Sequence, residues 1–339
     1  MRAWFKISPL LCVFVNFFVC SEVFAEEVKL QGGGKLRIGL VLDRGGIDDK
    51  SFNASAYEGA KKARDTLGAV LKYVESTDGN FVPLLTSFAQ KKFDLVIAVG
   101  VSQVDALKKV ASQFPQQQFA IVDGEVNVPN VKSILFQEHE GSFLVGAIAA
   151  LKSKSGKIGF IGGMDIPLIR RFALGYQAGA KKAQPDIKVV TNYVGITEDS
   201  WNNPAKAKEL AVSQYDSGVD VIFSASGASG SGLFDAAEEK KKYAIGVDSN
   251  QNWVKPKYIL TSMVKCITQA VFDVCKEVSR GEFHAGIQRN GLADGGVYYA
   301  VDQFNQDLLS KSLIDQVEQF KADIISGKIQ VPDYYKNKK

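Results

Sequence analysis

Residues 52–63 read FNASAYEGAKKA and residues 172–183 read FALGYQAGAKKA, so Phe, Gly, Ala, Lys, Lys and Ala recur without a gap at a spacing of 120 residues. Two helix starts rich in Ala and Lys would share part of this by composition alone. Each copy, however, also follows an apolar run and a glycine-containing turn, GLVLDRGG before the first and GFIGGMD before the second. Two similar strand–turn–helix units therefore open two similar halves. At 339 residues the chain exceeds one ordinary core, so two lobes are the natural partition.

Short apolar runs alternate with amphipathic segments along both halves. Strands are expected over 36–43, 70–75, 94–100, 118–123, 132–136, 157–162, 188–194, 219–225, 243–248 and 258–263. Helical spacing marks 52–66, 102–113, 139–152, 168–183, 204–216 and 265–280 among others. Repeated β-α-β order implies an α/β fold of two doubly wound parallel sheets, each covered by helices on both faces. Uninterrupted apolar strands such as LVIAVG suit that burial. Such sheets bind ligands just beyond the carboxyl ends of their strands, which is where functional residues are sought.

Three of those ends carry aspartate: Asp43, Asp123 and Asp248. One aspartate after a strand most often caps the next helix, but three facing a common cleft favour a ligand. The first strand is not followed by G-x-G-x-x-G, and the chain contains no G-x-x-x-x-G-K-[ST]. A phosphate would be repelled by these carboxylates, whereas sugar hydroxyls and base N–H groups are donors that they accept. A neutral ligand rich in hydroxyl or amino groups is therefore expected. Phe52 opens the first helix and reads equally as a packing residue or as one face of an aromatic clamp. Trp201 stands in the polar stretch ITEDSWNNPAKAKE and is the better clamp candidate.

Signals for catalysis and for nucleic acid are weak. His139 and His284 lack partners at metal-ligand spacing and read as surface or structural residues. Ser226 and Ser231 lie in SASGASGSG, whose order does not place a G-x-S-x-G elbow at the turn. That run reads as a tight turn bringing backbone N–H groups towards a ligand. The charge, +4 from 41 basic and 37 acidic residues, gives no basic stripe for nucleic acid. No cofactor is implied.

The N-terminus reads as an export signal over residues 1–25. Arg2 and Lys6 precede an apolar run from Pro9 to Val19, and Val23-Phe24-Ala25 offers a cleavage site after Ala25. Cys20 is a rival site for a lipid anchor, although Phe17-Phe18-Val19 before it is poor in small residues. Cys266 and Cys275 lie on opposite faces of one expected helix, about 13 Å apart along its axis, and read as two buried core thiols.

Taken together, DDKSFNASAYEGA, AIVDG, GKIGFIGGMDIPLIRRFALGYQAGAK, DVIFSASGASGSG, IGVDSNQ and ILTSMVK resemble the basic membrane protein family, whose best understood members are purine nucleoside receptors of ABC transporters. The resemblance covers about 35–335. It implies a type I periplasmic binding protein fold with a three-segment hinge, the lobes being 35–136 plus 263–292 and 137–262 plus 293–335. It also implies a base sandwiched by Phe52 and Trp201, its edge held by Asn53 and Asp123, and its ribose held by Asp248 and Lys265. Asp43 and Gly227 match positions close to the ligand. The implied partners are adenosine, guanosine or inosine and a permease; the protein itself is expected to be monomeric, in the periplasm or cell envelope. The competing readings are the same fold binding a pentose or signalling sugar, an exported nucleoside hydrolase, and a second role as an adhesin.

Overall fold

The structure is a computed structural model that describes Met1, residues 34–76 and residues 79–336. The expected signal, with Cys12, Cys20 and the site after Ala25, lies outside the described residues. The first half runs β1 (Arg37–Leu42), α1 (Phe52–Leu67), β2 (Val70–Glu75), α2 (Phe81–Gln90), β3 (Leu95–Val99), α3 (Val104–Gln113), β4 (Gln118–Val122) and β5 (Val131–Phe136). The chain continues as α4 (Glu138–Lys152), β6 (Lys157–Met164), α5 (Pro167–Ala183), β7 (Lys188–Gly195), α6 (Pro204–Asp216), β8 (Val221–Ala225), α7 (Gly230–Lys240), β9 (Tyr243–Asp248) and β10 (Ile259–Lys265). It ends as α8 (Ile267–Ser279), β11 (Gly286–Asn290), β12 (Val297–Tyr299) and α9 (Lys311–Ile325).

Two six-stranded sheets result, ordered β11-β5-β4-β3-β1-β2 and β12-β10-β9-β8-β6-β7. The orders superimpose element for element, so β1 corresponds to β6, β3 to β8 and β4 to β9. All ten expected strands form. The central β3 and β8, LVIAV and VIFSA, are buried throughout because helices cover both faces. The edge strands β2 and β7 mix polar with apolar residues and are largely half-buried or exposed. Pro167 and Pro204 open α5 and α6, where a missing N–H costs nothing, and Gly68 ends α1 in the left-handed conformation.

The repeated glycines have a packing role. A Cβ on Gly59 would lie 2.5 Å from the Thr268 carbonyl in α8, and one on Gly179 would lie 1.8 Å from the Phe143 carbonyl in α4. Each half thus uses its copy of the repeat to seat a crossover helix against its opening helix, α8 on α1 and α4 on α5.

The chain crosses between lobes three times, and the crossings are laced together. The Gln137 N–H donates to the Asn290 carbonyl and the Cys266 N–H to the Gly296 carbonyl, each at 2.8 Å. Two details differ from expectation. β10 runs through Lys265 in the second sheet, with Val264 opposite Asp248 and Met263 opposite Tyr299, so the return begins at Cys266 rather than at 263. Of these two cysteines, Cys275 alone is a core thiol; Cys266 is half-buried at the start of α8 and donates to the Gly295 carbonyl at 3.0 Å. Among the described residues, no helix is long and apolar enough to cross a membrane.

Candidate functional site

Strand C-termini from both sheets converge on one cavity of about 600 Å³, counting its solvent-open mouth. Asp43, Phe52, Asn53, Asp123, Trp201, Gly227, Asp248 and Lys265 all line it. β4 and β9 occupy equivalent places, and the residues at their ends, Asp123 and Asp248, both adopt left-handed backbone at φ +64° and +65°. Aspartate tolerates that region better than most residues, but holding it costs about 1–3 kcal/mol per position. The strain turns both carboxylates towards the same ammonium.

That ammonium is Lys265. It is buried, pairs with Asp123 Oδ2 across the lobes, and lies 3.8 Å from Asp248 and 3.7 Å from Glu138. The rings of Phe52, Phe136 and Phe172 surround it at 5.1, 5.1 and 5.7 Å. Burial alone would depress the Lys265 pKa, yet Asp123, Asp248 and Glu138 outweigh it and hold the pKa above the ordinary lysine value. Burial pushes Asp248 up to about 6, against the lowering effects of Lys265 and of the Ser51 hydroxyl, which donates to Asp248 at 2.6 Å from the other lobe. The chain of charges continues outward. Glu138, raised by burial to about 7, accepts from Arg171 at 2.5 Å, and Arg171 also donates to Asp333 at 2.9 and 3.0 Å. Asp123 Oδ1 is buried and accepts no hydrogen bond from the described residues.

A second pole lies at the ends of β1 and β6. Asp43 accepts from the Arg44 N–H at 2.8 Å and from the Ser102 hydroxyl at 2.5 Å, and burial pushes its pKa up to about 6. The Asn53 side chain accepts from the Asp43 N–H at 2.9 Å and donates to Arg44 and Asp49, so it fixes the loop. Helix capping falls to Asp49, which accepts from the N–H groups of Ser51, Asn53 and Ala54. From the other lobe, Trp201 is anchored by its N–H to Glu198 at 2.8 Å. Its ring lies so close to Gly163 that a Cβ there would come within 2.2 Å of it. Gly227 turns at φ +57° beside the Trp201 carbonyl. SASGASGSG forms the tight turn expected of it, Ser226 bonding Ser224 and Ser231 bonding the Ala228 carbonyl.

The eight residues meet, but in a different grouping from the one the resemblance implies. Asp123 stands with Lys265 and Asp248, two strands from Asp43 and Asn53, and both Asn53 amide donors are engaged by protein. Sequence reasoning missed Arg44, Asp49, Phe172, Leu168 and Ile169 in the lining. Phe172 had a signal, since it is the repeat's counterpart of Phe52. Of the histidines, His139 is buried, its pKa lowered to about 4 by burial and by Arg171, while His284 is exposed in a loop. No metal-binding cluster exists among the described residues.

Comparison with known proteins agrees with this architecture. Residues 36–334 match the family described as ABC transporter substrate-binding protein PnrA-like. The ABC transporter nucleoside-binding protein BmpA of Lactococcus lactis is 35% identical, over 88% of this chain and 89% of its own length. Basic membrane protein A of Borreliella burgdorferi is 33% identical, over 87% of each. The crystal structure of an ABC transporter solute-binding protein from Aeropyrum pernix superimposes with a TM-score of 0.81 at 28% identity, covering 88% of this chain and 94% of that one. With nearly the whole described chain inside the match and both sheets in the same order, this protein belongs to the PnrA-like family of ABC transporter substrate-binding proteins.

Proposed function

We propose that the cavity captures a purine nucleoside and that the protein delivers it to an ABC permease from the periplasm or cell envelope. The observation that supports this best is the pairing of aromatic walls from opposite lobes, Phe52 and Trp201, with carboxylates at both poles of one cavity. The base stacks between the two rings with its edge towards Asp43, while Asn53 holds the Asp43–Arg44 loop in place. The ribose lies at the lysine pole. There Asp248 and Asp123 Oδ1, which has no partner among the described residues, accept its hydroxyls, and Lys265 donates to a ring or 5′ oxygen. Ligand bonds to both lobes stabilise the closed arrangement about the three crossings, and no covalent step is involved.

Mass spectrometry of small molecules released on denaturing the purified protein tests the ligand class. A purine nucleoside is expected; a pentose or hexose instead would replace this reading with the sugar-binding one. Calorimetry adds a check, because the carboxylates disfavour a dianion in a closing cleft. Nucleosides should bind far more tightly than their 5′-monophosphates, and equal affinities would remove the case for a neutral ligand. Incubation with inosine should release no free base, which separates a receptor from a nucleoside hydrolase.

A further inference from the structure

We infer that Arg44 selects among purine nucleosides, favouring those with a 6-oxo group over adenosine. The inference rests on the nucleoside reading and names the subset of ligands that the site prefers. Of the described residues lining the cavity, only Arg44 and Lys265 are cationic, and Lys265 stands with Asp123 at the far pole. Arg44 Nη1 donates to Asp199 of the opposite lobe at 2.5 Å, which draws the side chain across the cleft. Its Nε is buried and donates to no described residue. Leaving a buried donor unpaired is costly, so a ligand atom that accepts from it gains more than a hydrogen bond formed in water would give.

Beside this donor stands an acceptor. Among the described residues, Asp43 accepts one hydrogen bond at each carboxylate oxygen, from Arg44 N–H and the Ser102 hydroxyl, leaving one further acceptor site per oxygen. The base edge therefore meets a carboxylate and an arginine together. Guanine matches both, offering N1–H and the 2-amino group to the carboxylate and O6 to the arginine. Hypoxanthine offers N1–H and O6. Adenine offers only its 6-amino group as donor and presents the N1 lone pair where a carboxylate repels it. Arginine with an oxopurine O6 is also a favoured pairing in nucleic-acid recognition.

The test is calorimetry of guanosine, inosine, adenosine and purine riboside, which lacks a 6-substituent, on wild type, Arg44→Met and Asp199→Asn. Wild type should prefer guanosine to adenosine, and inosine to purine riboside, by at least about tenfold, the weight of one charge-assisted hydrogen bond. Arg44→Met should lower both ratios by about tenfold, leaving the part that Asp43 supplies through N1. Asp199→Asn removes the charge of the interlobe pair but keeps an oxygen that accepts from Arg44, so all affinities should fall together with the ratios kept. Ratios unchanged in Arg44→Met, or no preference in wild type, would overturn the role of Arg44 while leaving nucleoside binding intact. Failure of wild type to bind any of the four would overturn the nucleoside reading, and this inference with it.

Discussion

The ammonium of Lys265, at the end of β10 in the second sheet, pairs with the carboxylate of Asp123, at the end of β4 in the first, so one ion pair both joins the lobes and lines the ligand cavity. Lys265→Met leaves Asp123 and Asp248 buried without their cation, whereas Glu138 keeps Arg171. Breaking a buried pair by deleting one partner costs about 3–5 kcal/mol. Urea unfolding of the ligand-free protein should register that loss, and nucleoside affinity should fall at least about tenfold. A variant within about 1 kcal/mol of wild type would show that the pair does not hold the lobes.

Glu138 makes the stability depend on pH. Its folded-state pKa, raised by burial to about 7, exceeds the ordinary 4.5, so the folded state holds a proton that the unfolded state has released. That stabilisation is complete below about 4.5 and is lost as pH rises through about 7. Asp43 and Asp248, raised to about 6, act in the same sense at lower pH, where His139, lowered to about 4, opposes them. The window from pH 6.5 to 8 therefore isolates Glu138 most cleanly. Wild type should lose stability across it and Glu138→Gln should lose much less, read from urea midpoints. Equal slopes would assign the proton elsewhere.

Gly163→Ala should displace the Trp201 ring, because its Cβ would fall within 2.2 Å of ring carbons. The expected result is a loss of nucleoside affinity comparable with that of Trp201→Ala, while Trp201→Phe binds nearly as well as wild type. Base–aromatic stacking is worth about 1–3 kcal/mol in single-stranded nucleic-acid sites, so the loss should be roughly fivefold to a hundredfold. Normal binding by a folded Trp201→Ala variant would remove the ring from the clamp.

Asp248→Asn retains shape and loses the charged acceptor, worth about 1.5–3 kcal/mol towards a hydroxyl. Riboside affinity should fall about tenfold to a hundredfold, and wild type should bind 2′,3′-dideoxy analogues correspondingly weakly. If Asp248 served only to cap a turn, the ligand-free protein would instead lose about 1 kcal/mol with affinity unchanged. The Ser51 hydroxyl as its partner argues against a cap.

Much of this architecture was legible from residue order. Apolar runs buried on both faces announced β1, β3, β4, β8 and β9, and the aspartates at strand ends marked where the cleft would lie. Other elements lacked such signals. α2 has Pro83 in its first turn, α7 begins Gly-Ser-Gly, and β11 is a polar edge strand, GIQRN. Arg44 follows Asp43 in a glycine-rich turn and reads as a solvent-facing cation until the second lobe supplies Asp199. The partnership of Glu138, Arg171 and Asp333 spans nearly two hundred residues and is created wholly by the crossings.

The correspondence of β4 with β9 extends one strand further, since Phe136 ends β5 at the register where Lys265 ends β10. A cavity built from two equivalent halves is close to a dyad, and on a perfect dyad an asymmetric ligand would have two degenerate orientations. Here one half places a ring and the other an ammonium at the same position, between two aspartates that remain alike. That non-equivalence, with Asp43 of one half matched by Gly163 of the other, makes the two walls of the cavity chemically distinct, so an asymmetric ligand can be held in one orientation only.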